Sequence, residues 1–96
     1  MLFVVFCTDK PDHAQVRLDN RPAHVEFLKG SSARLKVAGP TVTEDGAGMT
    51  GSMLVIEAES LGEAESWAAQ DPYAQAGLFE SVTIRPWKWS FGNPEA

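Results

Sequence analysis

Cysteine is scarce: the 96-residue chain has one, Cys7. A lone cysteine excludes an intramolecular disulfide and leaves no pair for a thiolate metal site. Cys7 ends the apolar run Leu2-Phe3-Val4-Val5-Phe6-Cys7, where a buried, inert thiol is the ordinary expectation. Histidine is nearly as scarce. His13 and His24 stand at unrelated positions and make a poor metal set, so no metal is expected. No GxGxxG, P-loop or HExxH pattern occurs, and no cofactor is expected. Basic residues are outnumbered, eight Lys and Arg against thirteen Asp and Glu, for a net charge of −5. That balance argues against a nucleic-acid partner, which normally meets a basic surface. No segment approaches the roughly 20 apolar residues of a membrane span. The opening lacks a basic stretch, and its apolar run stops at Thr8-Asp9-Lys10. Neither a signal peptide nor a membrane partner is therefore expected, and the cytoplasm is the expected compartment.

What is present is a large apolar load. Hydrophobic residues make up 44% of the chain, with three Trp and five Phe. The length fits one domain, residues 1–96, which alone buries only a modest share of its surface. Residues 2–8 read as a strand with two apolar faces: Leu2, Val4 and Phe6 on one, Phe3, Val5 and Cys7 on the other. Pro11-Asp12 opens a helical stretch with Asp12 as its N-cap. Pro22 divides it, giving pieces at about 12–19 and 22–29, ended by Gly30. Residues 33–42 and 52–59 read as strands, separated by a polar loop with Asp45-Gly46 and Gly48. Ser60 and Glu63 form a capping box for a helix whose inward stripe runs through Leu61, Ala64 and Ala68 to Asp71. Asp71-Pro72 stops that helix and starts a short one ended by Gly77. A last strand covers about 78–89 before Gly92-Asn93-Pro94.

The order β-α-β-β-α-β predicts an α+β fold of ferredoxin-like type, a four-stranded antiparallel sheet with both helices on one face. Helices then cover one side of a strand that is apolar on both. A second copy of the same sheet is the simplest cover for the other side, so a homodimer through the sheet face is expected.

His24 is the residue most able to move protons near neutral pH. Arg17, Arg21, His24 and Leu28 follow at steps of four, three and four, which sets His24 between basic and apolar surface. A structural histidine is the competing reading. Asp71 continues an inward stripe, where a carboxylate needs a partner. It suits either a cap for the helix begun by Pro72 or a partner for His24, and one carboxylate can serve both. Tyr73 and Ser52 carry hydroxyls that suit ligand binding or packing, and Arg21 suits an anionic group or solvent. Trp87, Trp89 and Phe91 alternate along one face of the last segment and read first as dimer packing, then as a ligand wall.

Taken together, Arg21-Pro22-Ala23-His24, Gly39-Pro40, Gly51-Ser52 and Asp71-Pro72-Tyr73, in this order, resemble the YCII-related family. So do Met1-Leu2-Phe3-Val4-Val5, Glu59-Ser60-Leu61 and Ile84-Arg85-Pro86-Trp87, so that the likeness covers nearly the whole chain. The resemblance implies a dimeric α+β barrel and a site built on a His–Asp pair, which falls here on His24 and Asp71. Relatives that eliminate chloride from a hydroxylated ring, and a muconolactone isomerase in the wider superfamily, imply proton abstraction from a small, planar, oxygenated substrate. The stretch Lys29-Gly30-Ser31-Ser32 is short for the family, which implies a changed mouth to the site. The expected function is a lyase or isomerase: His24 as general base, Asp71 orienting it, and Arg21, Ser52 or Tyr73 holding an anionic or enolic oxygen. The alternative is a non-catalytic dimeric module that binds a small metabolite.

Overall fold

A computed structural model describes residues 1–95. The elements run β1 (Leu2–Asp9), α1 (Ala14–Gly30), β2 (Leu35–Val42), β3 (Met49–Glu57), α2 (Leu61–Ala69), α3 (Pro72–Gln75) and β4 (Phe79–Trp87). The strands form one antiparallel sheet in the order β2-β3-β1-β4. Together with the helices this is the ferredoxin-like arrangement that the element order predicts.

The alternation along β1 decides which residues make the core. Phe3, Val5 and Cys7 are buried, and with Leu54, Ile56, Ala58, Ala64 and Trp67 they form the layer between sheet and helices. The opposite face is uncovered within one chain. Phe6 is 46% exposed, and its cross-strand neighbour Met53 is exposed too. Val37 lies on the same open face, opposite Val55.

α1 corrects two expectations. It is one helix of 17 residues that passes through Pro22, not two pieces. Pro22 removes the donor for the Leu18 carbonyl, which would break a buried helix. Leu18 and Pro22 are both exposed, so water reaches that carbonyl and the helix continues. Nor is Asp12 the N-cap. It sits at φ 60°, and His13 takes the capping position without a side-chain hydrogen bond. Two other caps lie where the sequence puts them. Ser60 accepts from the Glu63 amide, and Asp71 accepts from the Tyr73 amide ahead of Pro72. Leu61 is a further correction: it is 43% exposed, and the inward stripe begins at Ala64. β3 starts at Met49, earlier than expected, because Met49 and Gly51 pair with Val42 and Thr41 of β2.

Gly51 is fixed by a close approach. A Cβ there would overlap the backbone carbonyl oxygen of Cys7 on β1 and crowd the Thr41 hydroxyl. Gly51→Ala must push apart two central strands, and overpacking of this kind costs about 1–3 kcal/mol. A lower urea midpoint at unchanged slope is the expected result.

Candidate active site

The site lies on the helix-covered side of the sheet, between α1 and the strands β2 and β3. Register places it: Ser52 pairs with Pro40, and Leu54 with Ala38, all on the face shared with Cys7 and Val5. α1 crosses above with Arg17, Arg21, His24, Val25 and Leu28, and Tyr73 of α3 closes one end. The half-open cavity holds about 150 Å³. Pro40 is tolerated because β2 is an edge strand, where a missing N–H costs no ladder bond.

His24 and Asp71 meet. The His24 Nδ1 lies 2.9 Å from Asp71 Oδ1, with the side chains 11% and 5% exposed. The same Asp71 oxygen accepts the Tyr73 backbone N–H at 2.9 Å. An ionised carboxylate only accepts, so Nδ1 carries the proton and Nε2 is left as the basic nitrogen. The Tyr73 ring stacks on the imidazole, 3.9 Å between centroids and 15° from parallel. The local reason is α3. Asp71 caps it and Pro72 begins it, and one turn is enough to turn Tyr73 against α1.

Arg17 and Asp9 belong to the same cluster, and neither was singled out from the sequence. Arg17 is 5% exposed. Its Nε and Nη2 donate to the two oxygens of Asp9, each at 2.8 Å, and Nη2 also donates to Ser52 Oγ at 3.0 Å. Its guanidinium carbon sits 4.7 Å from the Tyr73 ring centre. A signal did exist. Asp9 has the parity of Phe3, Val5 and Cys7, so a carboxylate was due on the buried face and needed a cation. Register shifts between Thr8 and Asp9, so Asp9 pairs with Phe79 at an irregularity that re-aims it. Of the residues that the sequence does point to, Ser52 is buried beside Arg17, Tyr73 is buried against His24, and Arg21 lines the cavity from an exposed position.

Charge and burial set the proton affinities. Burial alone would pull the Arg17 guanidinium down, but the bidentate Asp9 carboxylate outweighs it and raises it further. Burial pushes the Tyr73 phenol up, against the opposing pull of Arg17 and Arg21. The Cys7 thiol is pushed up to about 12 by burial first and then by the Asp71 charge. Cys7 is therefore a thiol, not a thiolate, at neutral pH. Iodoacetamide at pH 8 is expected to leave it unmodified in the native protein and to alkylate it in urea, as intact mass would show.

Every fully buried side-chain nitrogen and oxygen among the described residues has a hydrogen-bond partner. Arg17, His24 and Tyr73 all line the cavity, and the Arg17 guanidinium also lies within hydrogen-bonding reach of the Tyr73 hydroxyl. Among the described residues no group of three or more His, Cys, Asp or Glu could hold a metal ion. Among the described residues no helix is long and apolar enough to cross a membrane.

A ferredoxin-like α+β sheet with a histidine–carboxylate pair beside a cavity defines the class: a small ferredoxin-like α+β protein. The sequence profile of the YCII-related domain matches residues 1–88, and the chain belongs to this family. Protein YciI of Escherichia coli O6:H1 is 42% identical over 98 residues, covering 95% of this chain and 100% of that one. An uncharacterized protein of Haemophilus influenzae is 40% identical with the same coverage. Among solved structures, the 5-chloro-2-hydroxyhydroquinone dehydrochlorinase of Burkholderia phenoliruptrix AC1100, in complex with 2,5-dihydroxybenzoquinone, is 41% identical. It superposes with a TM-score of 0.84, covering 92% of this chain and 94% of that one. An Agrobacterium tumefaciens protein at 15% identity and TM-score 0.56 shares the fold alone.

Proposed function

We propose that this protein is a small-molecule lyase or isomerase that uses His24 and Asp71 as its general acid–base pair on a planar, oxygenated ring. The observation that carries the reading is the His24 Nδ1 to Asp71 Oδ1 contact of 2.9 Å, which leaves Nε2 free toward the cavity. Asp71 fixes the tautomer and holds the imidazole in place. Nε2 takes a proton from a ring C–H or O–H, and the electron pair moves onto a conjugated oxygen. Return of that proton to the ring carbon that bears the leaving group makes that carbon tetrahedral, and loss of a proton from a second ring O–H then expels the leaving group with its bonding pair, which is the lyase outcome. Return of the proton to a different carbon is the isomerase outcome. The oxygen that gains charge lies toward Arg17, Arg21, Ser52 and Tyr73. The likeness to a dehydrochlorinase of a hydroxyhydroquinone supports this substrate class for the present chain.

The same reading includes a homodimer through the open sheet face, supported by the exposed Phe6, Met53 and Val37. Sedimentation is expected to give a dimer at micromolar concentration, and Phe6→Lys a monomer.

The direct test is chloride release from 5-chloro-2-hydroxyhydroquinone. Release catalysed by the protein is the expected result. A rise in Tm with 2,5-dihydroxybenzoquinone but no turnover would favour the metabolite-binding module instead. Neither effect would overturn the hydroxylated-ring reading.

A further inference from the structure

We propose that this cavity selects its ligand by charge: Arg17, locked by Asp9, and Arg21 take the ring as an anion, with an ionised oxygen, and refuse its uncharged counterpart. The inference rests on the proposed function for the ring itself and adds the ionic state and the residues that read it.

The cavity's charged lining is two arginines and no carboxylate. That is unexpected in a chain of net charge −5. Asp9 and Asp71 lie behind the lining, each engaged by a partner that faces forward. Asp9 holds Arg17 by two hydrogen bonds, and Asp71 holds His24 by one. With Nε and Nη2 occupied, Arg17 has Nη1 left, and its two N–H groups point in a direction fixed by the Asp9 fork. Arg17 is buried and cannot swing into water to find another acceptor. Arg21, one helical turn on, forms no ion pair among the described residues. Ser52 Oγ accepts from Arg17, so its own O–H remains to be donated. The polar side of the cavity thus carries the donors of Arg17, Arg21 and Ser52. An uncharged ether there would leave the buried Arg17 donor under-satisfied, and an oxyanion satisfies it with Arg21 beside it.

The remainder of the wall is apolar, with Val25, Leu28, Pro40 and Leu54. A volume of about 150 Å³ matches one six-membered ring, since an apolar protein cavity of roughly 150 Å³ binds benzene. Size, apolar wall and donor cluster together describe an acidic, hydroxylated single ring.

The test compares two rings in binding, with no turnover required: 2,5-dihydroxybenzoquinone, an acidic hydroxyquinone, and 2,5-dimethoxybenzoquinone, which cannot ionise. Calorimetry is expected to give at least tenfold tighter binding of the dihydroxy ring by the wild type. Arg21→Gln should cut that ratio several-fold. Asp9→Asn/Arg17→Gln, which removes both charges of the buried pair together, should bring it near one. If the double variant does not fold by circular dichroism, Arg21→Gln and Ser52→Ala carry the test. Equal affinity for both rings in the wild type would overturn the proposal. So would a ratio unchanged in every folded variant, or no binding of either ring at millimolar concentration. The two readings fail separately. Lost charge preference with intact chloride release defeats only the present inference, and intact preference without any turnover defeats only the catalytic one.

Discussion

His24→Asn is expected to lower kcat on a hydroxylated-ring substrate by about 10²–10⁴-fold, the usual worth of a positioned general base. Asparagine is the informative replacement. Its amide N–H can take over the hydrogen bond that Nδ1 makes to Asp71 Oδ1, so the carboxylate stays paired. Asp71 also keeps the Tyr73 amide, so α3 stays capped. What disappears is Nε2, the nitrogen that faces the cavity. The loss should therefore fall on kcat, with KM changed little, because the groups proposed to bind the ring are Arg17, Arg21 and Ser52. A variant that altered KM and left kcat alone would make His24 a binding residue and sink the general-base role. Asp71→Asn should produce a smaller loss, because its amide oxygen can keep both hydrogen bonds that the one Asp71 oxygen accepts, so the tautomer stays and only the carboxylate charge behind the imidazole is lost. Single-turnover kinetics separates these effects from slow product release.

Much of the architecture is legible in the residues because it follows from local rules. The two-faced apolar pattern of Leu2–Cys7 marks a central strand, and β1 lies between β3 and β4. Ser60 with Glu63 and Asp71 with Pro72 mark two helix starts, because a capping side chain and a proline at the first turn need nothing beyond the next three residues. The failures came where tertiary context overrides a local rule. Pro22 ends helices in the absence of other information, but here the exposed Leu18 carbonyl can be solvated. Asp12 is a good cap by type, yet the chain leaving β1 sets it at φ 60° and passes the position to His13. The site divides in the same way. His24 and Asp71 stand out by residue type, and the structure brings them within hydrogen-bond distance from 47 positions apart. Arg17 was visible only as a member of a basic stripe. Its pairing with Asp9 requires the strand parity, the shift after Thr8 and the path of α1 together, and none of these alone calls for an arginine on the buried side.

That buried pair sets up the second large effect, on stability. Arg17→Met leaves the Asp9 carboxylate, 9% exposed, without a counter-charge. Removing one member of a buried ion pair typically costs about 3–5 kcal/mol. In a domain of this size each kcal/mol moves Tm by about 4–8 °C, so a drop of the order of 12–40 °C is expected in a thermal scan. Three further losses point the same way: the donor to Ser52, the guanidinium against Tyr73, and the packing of the arginine stem. Asp9→Leu/Arg17→Met should recover most of the deficit, because no bare charge then remains and the space stays filled. A double variant as unstable as the single would show that the pair stabilises by itself and not merely by mutual compensation. Recovery would carry a functional meaning. A fold that survives without the pair does not need two buried charges at the end of β1, so their place beside Ser52, Tyr73 and His24 is explained by the ligand they face. The cost of burying Arg17 is met by Asp9, whose two hydrogen bonds hold the guanidinium in place at the cavity wall.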